Sequence, residues 1–141
     1  MTPLYAQQHD YSQYNVLAVD DIPLNLLLVT KMLSRFNFRL RTAANGQQAL
    51  DAVAAEKPDL ILLDLMMPGI DGFEVIRRLR EDPATADIQI VILSALNSQE
   101  DVVRGFNVGA NDFIMKPVIM EKLLSCVVTQ LQIVSSKSAE K

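Results

Sequence analysis

Four consecutive aliphatic residues, Leu60-Ile61-Leu62-Leu63, run directly into Asp64 and are followed by Pro68-Gly69. An unbroken apolar run of this kind describes a strand buried on both faces, and the Pro-Gly pair behind it ends the strand in a turn. The strand therefore carries a carboxylate to its C-terminal end, where an unpartnered charge is costly. Standing alone, such an acid is as readily a helix cap or a turn residue.

Other apolar segments end in the same manner. Val16-Leu17-Ala18-Val19 stops at Asp20-Asp21, residues 88–94 stop at the hydroxyl of Ser94, and residues 111–115 stop at Lys116-Pro117. Phe38, Leu40 and Thr42 alternate with Arg39 and Arg41, the pattern of a strand with one wet face near a sheet edge. Helical spacing fills the intervals. A first helix is expected to open at Pro23 and run to residue 36, a second covers 45–57, and a third carries Phe73, Val75, Ile76 and Leu79 and stops before Pro83. A fourth covers 99–108 with Gly109 as its C-terminal cap, and a fifth covers 118–134. Five strands alternating with five helices predict an α/β fold, a doubly wound parallel sheet with right-handed crossovers. Binding sites in such sheets lie beyond the C-terminal strand ends, so Asp20, Asp21, Asp64, Ser94 and Lys116 are candidates for one pocket.

Length allows one core and not two, because the chain has 141 residues. The expected organisation is a flexible polar leader over 1–13, a single domain over 14–134 and a flexible tail over 135–141. A net charge of -4 and a pI near 4.9 leave no Lys/Arg stripe for direct nucleic-acid binding. Cys126 is the only cysteine and falls in an apolar helical segment, so an inert thiol in a reducing cytoplasm is expected. His9, the only histidine, lies in the leader, which argues against a histidine-based catalytic dyad. Neither an N-terminal signal segment nor an apolar run long enough for membrane insertion is legible.

Three carboxylates converging from two strands repel one another and raise one another's pKa unless a cation offsets them. A hard divalent ion such as Mg²⁺ suits the oxygens of Asp20, Asp21 and Asp64, with one loop carbonyl, that of Met66. The bland alternative is that Asp20-Asp21 only caps the first helix. Lys116 brings a point charge and Ser94 a hydroxyl for the oxygens of a transferred group. An aspartate nucleophile, a site for a metal and two donors are equipment for phosphoryl transfer.

Together these elements resemble the response-regulator receiver domains of two-component phosphorelay signalling, over roughly residues 15–134. The resemblance implies a flavodoxin-like sheet of strand order 2-1-3-4-5 in a bacterial, cytoplasmic protein. It implies that Asp64 is the phosphoacceptor, that Asp20 and Asp21 are the acidic metal-binding pair, and that Ser94 and Lys116 engage the phosphoryl group. It also implies a cis bond before Pro117 and a switch role for Phe113, whose ring turns inward as Ser94 moves toward the phosphoryl group. The implied partner is a sensor histidine kinase or histidine phosphotransfer protein, with a downstream protein target and a monomer or weak phosphorylation-dependent dimer. The chemistry is then self-phosphorylation and dephosphorylation at Asp64, not enzymatic turnover. Aspartate-nucleophile phosphohydrolases of the haloacid dehalogenase type are a second reading, but they carry a general acid two residues after the nucleophile, where this chain has Met66. Flavin binding is a third, and Asp20-Asp21 would repel the flavin phosphate. A phosphorylation-independent binding module is a fourth. Whether the domain acts alone or was cut from a larger regulator or hybrid kinase is open.

Leu24-Asn25-Leu26-Leu27-Leu28-Val29 makes the first helix apolar on nearly every side. Either that helix is unusually buried, or Leu24 and Leu27 present a patch to a partner's helices, as the corresponding helix does in the family.

Overall fold

The structure is a computed structural model that describes residues 11–96 and 98–139. Strands β1 (Asn15–Val19), β2 (Arg39–Ala43), β3 (Leu60–Leu63), β4 (Gln89–Ser94) and β5 (Asp112–Met115) alternate with five helices. These are α1 (Pro23–Leu33), α2 (Gly46–Ala55), α3 (Gly72–Glu81), α4 (Gln99–Val108) and α5 (Met120–Ala139). Every strand pair is parallel and the order is β2-β1-β3-β4-β5, as expected.

The sheet's two-residue period divides the core. Leu17, Val19, Ile61, Leu63, Ile90 and Ile92 face Ala49, Val53, Ile76 and Leu79 on one side. Val16, Ala18, Leu60, Leu62, Val91 and Leu93 face Val29, Leu33, Leu124, Val127 and Leu131 on the other. Consecutive aliphatics are therefore required in β1, β3 and β4, since either face of each is dry. β2 is an edge strand, as expected, but its exposure does not alternate: Arg39 and Thr42 are exposed on opposite faces, while Leu40 and Arg41 are half-buried.

Local chemistry sets the helix starts. Pro23 opens α1 at its first turn. Asn45, Asp71 and Ser98 each accept a backbone N–H from the first turn of the following helix, from Gln48, Glu74 and Asp101 respectively. Gly109 closes α4 at φ +120°, a conformation that strains any residue with a Cβ.

The ends of the domain depart from expectation. Tyr11, assigned to the flexible leader, is 5% exposed, and its ring lies 5.0 Å from Phe36 and 5.2 Å from Phe38. Its backbone N–H donates to Asn37 Oδ1, and the Tyr14 hydroxyl pairs with Ser135 Oγ on α5. Phe36 and Phe38 belong to this aromatic cluster, and α1 stops at Leu33 instead of residue 36. α5 begins at Met120 and continues through Ala139, beyond the expected end at 134, so residues 135–139 of the expected tail are helical. Residues 1–10, with His9, and residues 140–141 lie outside the described residues.

Candidate functional site

Strand order reverses between β1 and β3, and their C-terminal ends carry Asp20, Asp21 and Asp64 side by side. Backbone bonds fix both ends: Asp20 N–H donates to Ala43 O, and Asp64 N–H donates to Val19 O. One carboxylate oxygen from each of the three acids lies within 4.8 Å of the others. Asp20 and Asp64 are buried, at 6% and 5% exposure.

The three are not equivalent. Asp20 Oδ1 accepts the Ile22 N–H at 3.0 Å, while Oδ2 pairs with Lys116 Nζ at 2.9 Å. Asp20 thus braces the turn ahead of α1 and faces the pocket, whereas the N-cap of α1 is Ile22 and no side chain caps the helix, contrary to the capping reading. Asp64 Oδ1 lies 3.7 Å from the same ammonium group. Burial is the main reason that the Asp64 carboxyl titrates above its ordinary range. Lys116 opposes that shift, Asp20 and Asp21 add to it, and a hydrogen bond from the Met66 N–H lowers it in part. Asp21 Oδ1 is buried without a hydrogen-bond partner.

That orphaned oxygen is a test of fit for a metal. A buried carboxylate oxygen with no donor is costly, and a hard cation is the partner that three clustered carboxylates lack. Asp20, Asp21 and Asp64 are thus a donor set with the hardness Mg²⁺ requires; the Met66 carbonyl lies in the loop directly after Asp64.

The remaining candidates occupy neighbouring strand ends. Ser94 is fully buried at the end of β4, where its Oγ accepts the Leu96 N–H at 3.1 Å, leaving the hydroxyl proton as the group it can donate. Its carbonyl accepts the Lys116 N–H at 2.8 Å, which ties the base of Lys116 to β4. The Lys116–Pro117 bond is cis. Phe113 is half-buried on β5 and packs beneath α4, where a Cβ on Gly105 would come within 3.3 Å of its ring and 2.8 Å of Ile92 Cδ1. Leu24 and Leu27 are exposed, at 61% and 51%, which decides against an unusually buried α1.

Three features escaped sequence reasoning. Gly72 opens α3 so close to the loop after β3 that a Cβ there would lie 2.6 Å from the Asp64 carbonyl oxygen and 2.7 Å from Leu65 Cα. The Asp71-Gly72 pair reads as ordinary turn chemistry, and only the packing shows that the glycine sets the depth of Asp64. Arg80 reads as a solvated helix residue, yet its guanidinium donates to the carbonyls of Gly109, Ala86 and Ile88 and to Asn111 Oδ1, fastening α3 to the approaches of β4 and β5. Finally, a cleft of about 410 Å³ opens between α1 and the β5–α5 loop, lined by Leu26, Val29, Met32, Leu93 and Val118 with Asp20 and Lys116 at one end. Cys126 is half-buried, and burial together with Asp112, whose Oδ2 accepts its S–H at 3.3 Å, pushes the thiol up to about 12.

Among the described residues, no helix is long and apolar enough to cross a membrane. A family model described as the response regulator receiver domain matches residues 16–128. Response regulator PleD of Caulobacter vibrioides is 44% identical over 103 residues, which are 73% of this chain and 23% of PleD. Protein PilH of Pseudomonas aeruginosa is 36% identical over 112 residues, 79% of this chain and 93% of PilH. The signal receiver domain of a signal transduction histidine kinase from Syntrophus aciditrophicus superimposes with a TM-score of 0.80 at 32% identity, covering 86% of this chain and 92% of that one.

Proposed function

The chain belongs to the response regulator receiver domains of two-component signalling, and from that premise we propose that Asp64 is its phosphoacceptor. The observation that carries the assignment is the convergence of Asp20, Asp21 and Asp64 within 4.8 Å beside the Lys116 ammonium group. An Asp64 oxygen attacks the phosphorus of a partner's phosphohistidine, and the new O–P bond forms as the P–N bond breaks. Lys116 exchanges its carboxylate partners for a phosphoryl oxygen, and Ser94 donates its hydroxyl proton to another. Asp20, Asp21, Asp64 and the Met66 carbonyl would hold Mg²⁺. When bound, the ion offsets the negative charge of the carboxylates and of the phosphoryl oxygens.

Phosphorylation adds about -1.5 to -2 of charge at the strand ends. Movement of Ser94 toward that charge frees space beside β5, and the Phe113 ring turns inward, reshaping the surface of α4, β5 and α5. Pro117 sets the exit of the chain behind Lys116. The phosphoryl donor is a histidine kinase or a histidine phosphotransfer protein, which docks on Leu24 and Leu27 of α1. The signal leaves through protein contact in the cytoplasm, from a unit that takes in Tyr11 and the whole of α5. Against a phosphohydrolase stands Met66, which offers no proton to a leaving group.

Intact mass after incubation with a small acyl-phosphate donor tests the assignment. A labile adduct that requires Mg²⁺ and is lost in Asp64→Asn supports it. The absence of an adduct on folded protein with Mg²⁺ would leave a phosphorylation-independent binding module.

A further inference from the structure

The loop that follows Asp64 carries a thioether in the open. Met66 is 58% exposed, whereas Met67 beside it is 7% exposed. Met66 stands two residues after Asp64, in the loop that leaves β3. Met66 and Leu96, each two residues after a strand-end group, Asp64 and Ser94, line one recess together with Asp71 and Phe73. Both rim residues are apolar, and water gains no hydrogen bond from either side chain.

We propose that Met66 is an oxidation site whose modification shortens the life of the phosphoryl group on Asp64. The inference rests on Asp64 being the phosphoacceptor. A peroxide delivers one oxygen atom to Sδ: the S–O bond forms as the O–O bond breaks, the sulfur loses two electrons, and hydrogen peroxide departs as water. The product is a methionine sulfoxide, polar where the thioether was not, and reducible by a methionine sulfoxide reductase. Its S=O group is a strong hydrogen-bond acceptor on the rim of the recess. It holds water near the phosphorus, where the thioether and Leu96 exclude it. Leucine at this position would keep the rim apolar and could not be oxidised.

The experiment uses the full chain, phosphorylated with a small acyl phosphate and Mg²⁺ after brief exposure to hydrogen peroxide. Peptide mass mapping reads oxidation at each methionine, and intact mass follows decay of the adduct. Each variant is compared with itself, with and without peroxide, so differences in intrinsic lifetime cancel. The expected result is a several-fold shorter lifetime for oxidised wild type, restored by the reductase, with no peroxide effect in Met66→Leu. Met115 and Met120 are also exposed, at 48% and 39%, and the Met115→Leu/Met120→Leu double variant should remain as sensitive as wild type. Oxidation mapped to Met66 with an unchanged lifetime overturns the proposal, as does equal sensitivity in Met66→Leu. If no adduct forms on Asp64 in unoxidised protein, the reading of the site fails and the proposal falls with it.

Discussion

Replacing Asp64 with asparagine should make the metal-free protein more stable at neutral pH. At an effective dielectric near 20, two unit charges 4.8 Å apart interact by about 3–4 kcal/mol. Asp64 faces two such repulsions, from Asp20 and Asp21. Against them stands one attraction, to Lys116 at 3.7 Å, of about 4–5 kcal/mol. Lys116 lies closer to Asp20, at 2.9 Å, so its charge is shared. The attraction offsets much of the repulsion, and burial is the larger cause of the cost of ionising Asp64. Asparagine keeps the shape and removes the charge, so a gain of about 1–3 kcal/mol is expected, visible as a shift on the order of 1 M in the urea midpoint. The pH dependence has a definite sign. The folded-state pKa of Asp64 lies above its unfolded value, so its ionisation opposes folding. The penalty is absent below the ordinary carboxylate range and grows as pH rises through the raised value. The advantage of Asp64→Asn should therefore vanish in acid and be full at neutral pH. Mg²⁺ should narrow it, because the ion stabilises the wild type more than the variant. Urea unfolding in chelator across this pH range decides the matter. A variant no more stable than wild type at neutral pH, or a gain that is the same at every pH, would refute the electrostatic reasoning.

Other outcomes follow from contacts at a distance from that balance. Tyr11→Ala should cost about 2–4 kcal/mol in urea unfolding, because it empties the centre of the cluster with Phe36 and Phe38; a loss within error would place Tyr11 outside the core. Gly72→Ala puts a methyl group against the backbone of Asp64 and Leu65, which cannot yield as a side-chain tip would. It should lose about 1–3 kcal/mol and label more slowly with acyl phosphate, and wild-type values for both would contradict the packing argument. Leu27→Asp should slow phosphotransfer from a histidine-bearing protein several-fold while leaving labelling by a small acyl phosphate unchanged. Equal slowing of both reactions would point to a damaged fold instead of a lost docking contact.

Much of the architecture was legible because β1, β3 and β4 are dry on both sides, which leaves continuous aliphatic runs that few other structures produce. The site was legible because each run ends on a polar residue, and parallel strands bring those ends to one edge. Leu24 and Leu27 could not be decided from spacing, since a helix apolar all round reads alike whether buried or bare. Tyr11 reads as part of a leader because Gln, His and Asp surround it, and its partners Phe36 and Phe38 lie far along the chain. Gly72 and Arg80 read as ordinary for the same reason: their roles are distances to backbone atoms of other segments, and sequence periodicity carries no such distances. The end of α5 reads early because Ser135 and Ser136 have modest helix propensity, although exposed polar residues on an anchored helix need little of it.

The ammonium group that Asp20 and Asp64 share comes from the last of the strands, and Lys116 lies 96 residues beyond Asp20. During synthesis the three acids leave the ribosome well before their counter-charge does. A nascent chain that had docked β1 on β3 at that stage would hold its carboxylates together with no lysine to offset them. Docking of β5 brings Lys116 to two of those carboxylates, and a chain that stops short of residue 116 lacks that counter-charge.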